Sequence, residues 1–276
     1  MIRRILVGLG GTPYTNAALQ TAVELARAHG AELTGVTAVD VEALQSAGPA
    51  PIGAEASALE LRDHRLEVTA EHVERVIAAF ESACAAGQVP YRVHREEGDA
   101  FKLMLSHSRY HDLTVFGLRS IFEYYFEEAE SSNLLARLVG EGARPILAVA
   151  REYRPIRRVL IAYSGSIESA KAMRQFVQLR PWPQATVRIV AFEQVDEDPD
   201  RLLADAARYC RAHDVEAETE HAAGSAKDQL LSYAAGWDAD LIVLGNSCRS
   251  FLLRQLFGET ALDAMQNSDL PLFLSQ

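Results

Sequence analysis

The sequence predicts an α/β fold built from two tandem five-stranded parallel sheets, each with helices on both faces. Three observations carry that reading. Short apolar runs alternate with amphipathic helical stretches, the order that produces a parallel sheet with helices packed on it. The whole order occurs twice in 276 residues. Each half also closes in the same way, with Asp, an apolar strand, Gly, a helix, Pro and a last strand. These are Asp112 to Gly117 followed by Arg144 to Val149, and Asp240 to Gly245 followed by Leu270 to Leu274.

The elements follow in order. Arg4 to Leu9 and Arg158 to Tyr163 are the first strands of the two halves. Each runs into a small-residue turn, Gly10-Gly-Thr-Pro13 and Ser164-Gly-Ser-Ile167. Thr12 reads as a helix N-cap with Pro13 at the first helical position, and Ser166 as the second cap. Ala18, Ala22, Leu25 and Ala26 share one face of the first helix; Ala172, Met173, Phe176 and Val177 share one face of its counterpart. Second strands follow at Leu33 to Val39 and Thr186 to Phe192. The stretch Ser46 to Ser57, rich in Gly, Pro and Ala, reads as an exposed loop. Amphipathic helices come next, one through Leu66, Val73, Val76, Ile77 and Phe80, the other through Leu202, Leu203, Ala206, Tyr209 and Cys210. Short strands at Tyr91 to His94 and Val215 to Thr219 lead to turn glycines, Gly98 and Gly224, and to helices Ala100 to Arg109 and Ala226 to Ala235. The domains are read as 1–150 and 156–276, with a polar link between them, and each is expected to hold its own sheet.

Composition narrows the function. About half of the residues are apolar (49%), enough for full cores. A net charge of -11 argues against nucleic acid or an anionic membrane surface as a partner. Cys84, Cys210 and Cys248 lie far apart with no CxxC, a reduced, cytoplasmic pattern. No apolar run approaches the roughly 20 residues of a membrane span.

The last third of the second half holds the densest signal. Gly245 ends a buried strand, and Gly258 precedes a helix from Thr260 to about Asn267. Small residues there admit a ligand close to the backbone, and a helix N-terminus offers N–H donors to an anion. The spacing Gly245-x2-Cys248-x9-Gly258-Glu259-Thr260 resembles the Gly-x2-Gly-x9-Gly-Ser/Thr signature of the universal stress protein family. The order of elements resembles a tandem member of that family over nearly the full chain. The resemblance implies a Rossmann-like fold of the adenine nucleotide alpha hydrolase type, in which this loop holds the phosphates of ATP. Cys248 replaces the middle Gly, and Glu259 stands where Ser or Thr is expected.

Carried over residue by residue, the resemblance assigns an adenine nucleotide, weakly held, to the second half. Its contacts would be Ser164, Gly245, Arg249, Gly258, Glu259 and Thr260, with Arg254 also near the phosphates. Family members that bind ATP usually have an Asp after the first strand; here Gly10 and Ser164 occupy that place. In the first half Ser120 replaces the second loop Gly, and Glu123, Glu127, Glu128 and Glu130 would repel a triphosphate. Phe122, Tyr124, Tyr125 and Phe126 are bulky there, and an ordinary helix with an aromatic core face is the preferred reading.

Other chemistry finds less support. His107 and His111 are spaced for a metal, but no third ligand is evident, so exposed or capping histidines are preferred. Asp112 and Asp240 read as turn residues before buried strands rather than as general bases. The Cys248 thiol beside Arg249 reads as a small buried side chain rather than a reactive one. No nucleophile elbow, P-loop Lys or HExxH occurs. The expected function is a non-enzymatic, cytoplasmic stress-response or regulatory protein. A scaffold without nucleotide and a slow ATP hydrolase, or an unrelated α/β hydrolase, are the alternatives. In that family the last strand commonly pairs with that of a second copy. The edges at Ile146 to Val149 and Leu272 to Leu274 are therefore expected to meet within the chain, with a homodimer as the other use of such an edge.

Overall fold

A computed structural model describes residues 1–39, 55–118, 135, 138, 139, 141, 145–192, 198–245 and 259–275. The first half contributes β1 (Arg4–Gly8), α1 (Thr15–His29), β2 (Glu32–Val39), α2 (Glu55–Gly87), β3 (Tyr91–Glu97), α3 (Ala100–Ser108), β4 (Leu113–Gly117) and β5 (Ile146–Val149). The second contributes β6 (Arg158–Ala162), α4 (Ile167–Leu179), β7 (Thr186–Phe192), α5 (Pro199–Arg211), β8 (Ala217–Ala222), α6 (Ala226–Gly236), β9 (Leu241–Gly245), α7 (Glu259–Asn267) and β10 (Leu272–Ser275).

The strands form one ten-stranded sheet in the order β3-β2-β1-β4-β5-β10-β9-β6-β7-β8. This corrects the expectation of two separate sheets. Each half is parallel throughout, and β5 and β10 join the halves as an antiparallel pair, with Leu272 opposite Ala148, Phe273 opposite Leu147 and Leu274 opposite Ile146. The two apolar edges meet as expected, and that meeting is what fuses the sheets. Neither terminal strand keeps an open side, because β5 also pairs with β4 and β10 with β9. The outer edges are β3 and β8, both rich in charge, which protects an edge from pairing with another chain.

Strand alternation sends side chains to two helical layers. Ile5, Val7, Leu113, Val115, Leu147, Val159, Val243 and Phe273 pack with α1, α2, α4 and α5 on one face. Leu6, Phe116, Ile146, Ala148, Leu160, Ile242 and Leu272 pack with α3, α6 and α7 on the other. Both cores run across the two halves. Phe273 is fully buried and meets Phe176 of α4 edge to face at 5.4 Å. The connection adds polar contacts: the Tyr153 hydroxyl donates to Glu24 of α1 at 2.6 Å, and His29 lies 2.9 Å from the Pro181 carbonyl.

Asp112 and Asp240 do structural work twice over. The Asp112 carboxylate accepts from the backbone N–H groups of Arg3 and Arg4 at 2.8 and 3.1 Å. Asp240 accepts from those of Arg157 and Arg158, both at 2.9 Å. Each carboxylate thereby ties the start of a half's first strand to the start of its fourth.

Several boundaries differ from expectation. Helix α1 begins at Thr15 rather than Pro13. Thr12 caps the turn before it, its hydroxyl accepting from the Tyr14 N–H at 3.3 Å. Ser166 caps α4 as expected, accepting from the Ser169 N–H at 3.2 Å. Residues 55–57 of the anticipated loop belong to α2; the remainder of that stretch, like the acidic and aromatic stretch 121–130, lies outside the described residues. Strand β8 begins two residues later than expected. Asp214 takes a left-handed φ of 60°, and the Val215 N–H bonds back to Cys210. Cys84 and Cys210 are both free and buried, and burial pushes their thiols up to about 12 and about 11.

Replacing Asp112 or Asp240 with Ala should cost about 1–2 kcal/mol each, because two charge-assisted bonds at a partly solvated site are lost. Phe273→Ala should cost more, about 3–5 kcal/mol, since it opens a cavity at the junction of the halves. Urea unfolding followed by circular dichroism reads both, and a Phe273→Ala chain as stable as the wild type would show that the junction is not a stabilising core.

Candidate functional site

Chain order reverses in the sheet between β1 and β4, and again between β6 and β9. A parallel sheet offers a crevice beyond the carboxyl ends of its strands at such a point. Because β5 and β10 run antiparallel, the carboxyl ends of the strands in the two halves point in opposite directions, and the two crevices open at opposite ends of the strands.

In the second half the crevice is bordered by the turn after β6, the end of β9 and the first turn of α4. Gly165 in that turn has φ +75°, a conformation that L side chains rarely adopt. Ser164, Ser166 and Ser169 form a hydroxyl cluster, with Ser164 Oγ at 3.1 Å from Ser166 Oγ and 3.3 Å from Ser169 Oγ. Gly245 faces the same helix end. A Cβ there would lie 2.4 Å from the Glu168 carbonyl carbon and oxygen and 2.5 Å from the Ser169 nitrogen. Ser164 and Gly245 thus converge on the first turn of α4, and the glycine is required there by helix packing in any case.

Glu259 and Thr260 open α7. Glu259 is exposed and receives the ammonium of Lys227, from the first turn of α6, at 3.1 Å. That carboxylate is the main cause raising the pKa of Lys227. Thr260 is half-buried. Arg249, Gly258, Cys248 and Arg254 lie outside the described residues.

The first-half crevice is built differently. Gly10 is buried, and Gly11 has φ +68°. His72 of α2 sits over this turn, its Nε2 at 3.1 Å from the Gly11 carbonyl, and a Cβ on Gly11 would fall 1.7 Å from that nitrogen. A protein side chain covers the turn that matches Ser164-Gly165 in the second half.

Sequence reasoning missed two of these groups. His72 belongs to the inward stripe of α2 with Thr69, Val73, Val76, Ile77 and Phe80, and a histidine in such a stripe was the available signal. Lys227 gave none, because its partner is 32 residues away. The His107–His111 pair is not brought together as ligands. His111 is buried; its Nδ1 donates to the His107 carbonyl at 2.7 Å, leaving Nε2 to accept from the Thr34 hydroxyl at 2.9 Å. Burial holds its pKa below the ordinary imidazole value. It is buried rather than exposed, and its ring caps the last turn of α3 through the His107 carbonyl. His107 instead turns its ring toward β3.

The model of the universal stress protein family matches residues 1–120 and 155–275. The chain belongs to the universal stress protein family. It carries the family unit twice, as a tandem member. A universal stress protein from Synechocystis is 20% identical over 162 residues, which span 58% of this chain and 56% of that relative. Among solved structures, a universal stress protein from Archaeoglobus fulgidus superposes with a TM-score of 0.72 at 14% identity, covering 99% of this chain and 96% of that one. A Pseudomonas aeruginosa protein described as functionally unknown gives a TM-score of 0.55 at 16% identity, covering 99% and 92%. These likenesses establish the Rossmann-like fold of both halves. Among the described residues, no helix is long and apolar enough to cross a membrane.

The glycine contacts make a sharp test of the site's packing. Gly245→Ala must push β9 away from the first turn of α4 and should destabilise the protein by about 1–3 kcal/mol. Gly236→Ala, where a Cβ meets nothing within 4 Å, should be neutral or slightly stabilising. Thermal melts of the two variants compare them directly; equal melting temperatures would sink the packing role of Gly245.

Proposed function

We propose that this tandem universal stress protein is a non-enzymatic stress-response or regulatory protein of the cytoplasm, whose capacity for adenine nucleotide is weak and confined to the second half. The observation that carries this is the Lys227–Glu259 ion pair at the start of α7. The family resemblance puts a Ser or Thr there, against phosphate. A carboxylate in its place repels an anion, and the lysine that offsets it also supplies a cation at the crevice. Helix ends remain available: α4 and α7 both present N-termini toward the carboxyl ends of β6 and β9, which favours an anion there. In the first half His72 covers the corresponding turn.

The same places support the reading without catalysis. Gly10 and Ser164 stand where the family's Asp would help hold Mg²⁺, and a neutral hydroxyl is a poorer ligand than a carboxylate. A second reading, a scaffold that takes no nucleotide, is supported by the hydroxyl cluster itself. Ser164 already has partners within the chain.

Calorimetric titration of the full chain with ATP, ADP and AMP tests the proposal. Binding in the high micromolar range or weaker is expected, with no phosphate release. Glu259→Ser should tighten it by about 1 kcal/mol, roughly fivefold, by removing the like charge. His72→Ala should leave it unchanged. Turnover of ATP, or tight binding unaffected by Glu259→Ser and Ser164→Ala, would overturn this reading, and absence of binding to every variant would favour the scaffold.

A further inference from the structure

Counted from the turn glycines Gly98 and Gly224, the two halves place corresponding residues at the junction of an edge strand with the helix after it. In the second half that junction is closed by a cation of the chain. Arg188 of β7 donates to Glu218 at 2.7 Å, to Glu220 at 3.0 Å and to the Tyr233 hydroxyl at 3.2 Å, and its guanidinium lies 4.7 Å from the Trp237 ring. One positive charge thereby binds β8 to α6.

Among the described residues of the first half, no such cation closes this junction. Glu220 precedes Gly224 by four residues, as His94 precedes Gly98; Tyr233 follows Gly224 by nine, as His107 follows Gly98. Arg188 pairs with Glu218 in the sheet, and the residue that pairs with Arg92 at the corresponding place is Thr34, engaged by His111. The face of β3 that carries His94 and Glu96 looks toward α3, because the alternate residues Tyr91 and Arg95 are occupied by Phe80 and Glu74 of α2. His107 of α3 completes a group of two imidazoles and a carboxylate. His107 Nε2 lies 3.1 Å from Glu96 Oε1, and His94 Nδ1 lies 3.9 Å from it. The rings of His94 and His107 are 4.8 Å apart. Among the described residues, the ion-pair partners of Glu96 are these two histidines.

We propose that His94, Glu96 and His107 bind a divalent transition-metal ion of the zinc class, which joins β3 to α3 where Arg188 joins β8 to α6. All three ligand atoms lie within 4.8 Å of one another. A tetrahedral zinc at about 2.0–2.1 Å from its ligands needs them roughly 3.3 Å apart, so small side-chain rotations suffice. The side chains are 43%, 31% and 21% exposed, which lets an ion enter and leaves a fourth position to water. Imidazole nitrogen selects zinc, nickel or copper over magnesium and calcium. Strand residues two apart are held on one face by the sheet, so two of the ligands are prepositioned. The site lies on the outer edge strand of the first half and does not depend on the nucleotide reading.

The test uses the untagged full chain, stripped with a chelator and titrated with zinc chloride by calorimetry. One zinc per chain is expected. His94→Ala, His107→Ala and Glu96→Gln should each weaken binding by about tenfold or more. Glu96→Gln retains an acceptor for His107 but loses the ligand charge, so the metal-free melting temperature should stay at the wild-type value while the zinc-induced rise falls. His213→Ala and His221→Ala, both in the second half, should leave binding unchanged. Absence of zinc binding by the wild type, or binding equally tight in all three ligand variants, would overturn the proposal.

Discussion

The antiparallel pairing of β5 with β10 is the constraint on which the rest of the molecule depends. A parallel five-stranded unit ending in an apolar strand has an edge that water solvates poorly and that other strands can template. Two such units in one chain satisfy each other. The pairing turns two sheets into one and sets a pseudo-two-fold between the halves. It also carries Phe273 under α4, where the core of one face becomes continuous.

That symmetry allows the same position to be compared twice, and the differences are chemical rather than architectural. Both halves tie their first and fourth strands with an Asp that accepts two backbone N–H groups. Both turn out of the first strand through a left-handed Gly. Yet one turn is covered by His72, and the other leads to three serines at a helix start. One edge-strand junction holds a guanidinium among carboxylates, and the other holds imidazoles and a single carboxylate. The two halves share what the backbone needs and differ in the side chains at the crevices and edges.

The site is accordingly a matter of charge placed at a preserved frame. Helix N-termini at the carboxyl ends of the strands favour an anion wherever this fold is built. Among the described residues, Glu259 opposes that tendency and Lys227 offsets part of it.

The sequence by itself determined the repeat and the strand and helix order. Those are properties of local periodicity and of small or turn-forming residues, which act over a few positions. The sequence placed Ser166 as a cap for the same reason, since a cap reaches only to its own first turn. The family resemblance that the repeat and the element order carry implied the meeting of the terminal strands. Tertiary structure alone decided that the sheets fuse into one, that Gly245 is demanded by the backbone of α4, and that His111 is a core residue bonded to Thr34. It alone brought His107 to Glu96 and Lys227 to Glu259. Each of those facts joins residues from separate elements, and the spacing that brings them together is set by sheet register and helix packing, which no run of neighbouring residues encodes.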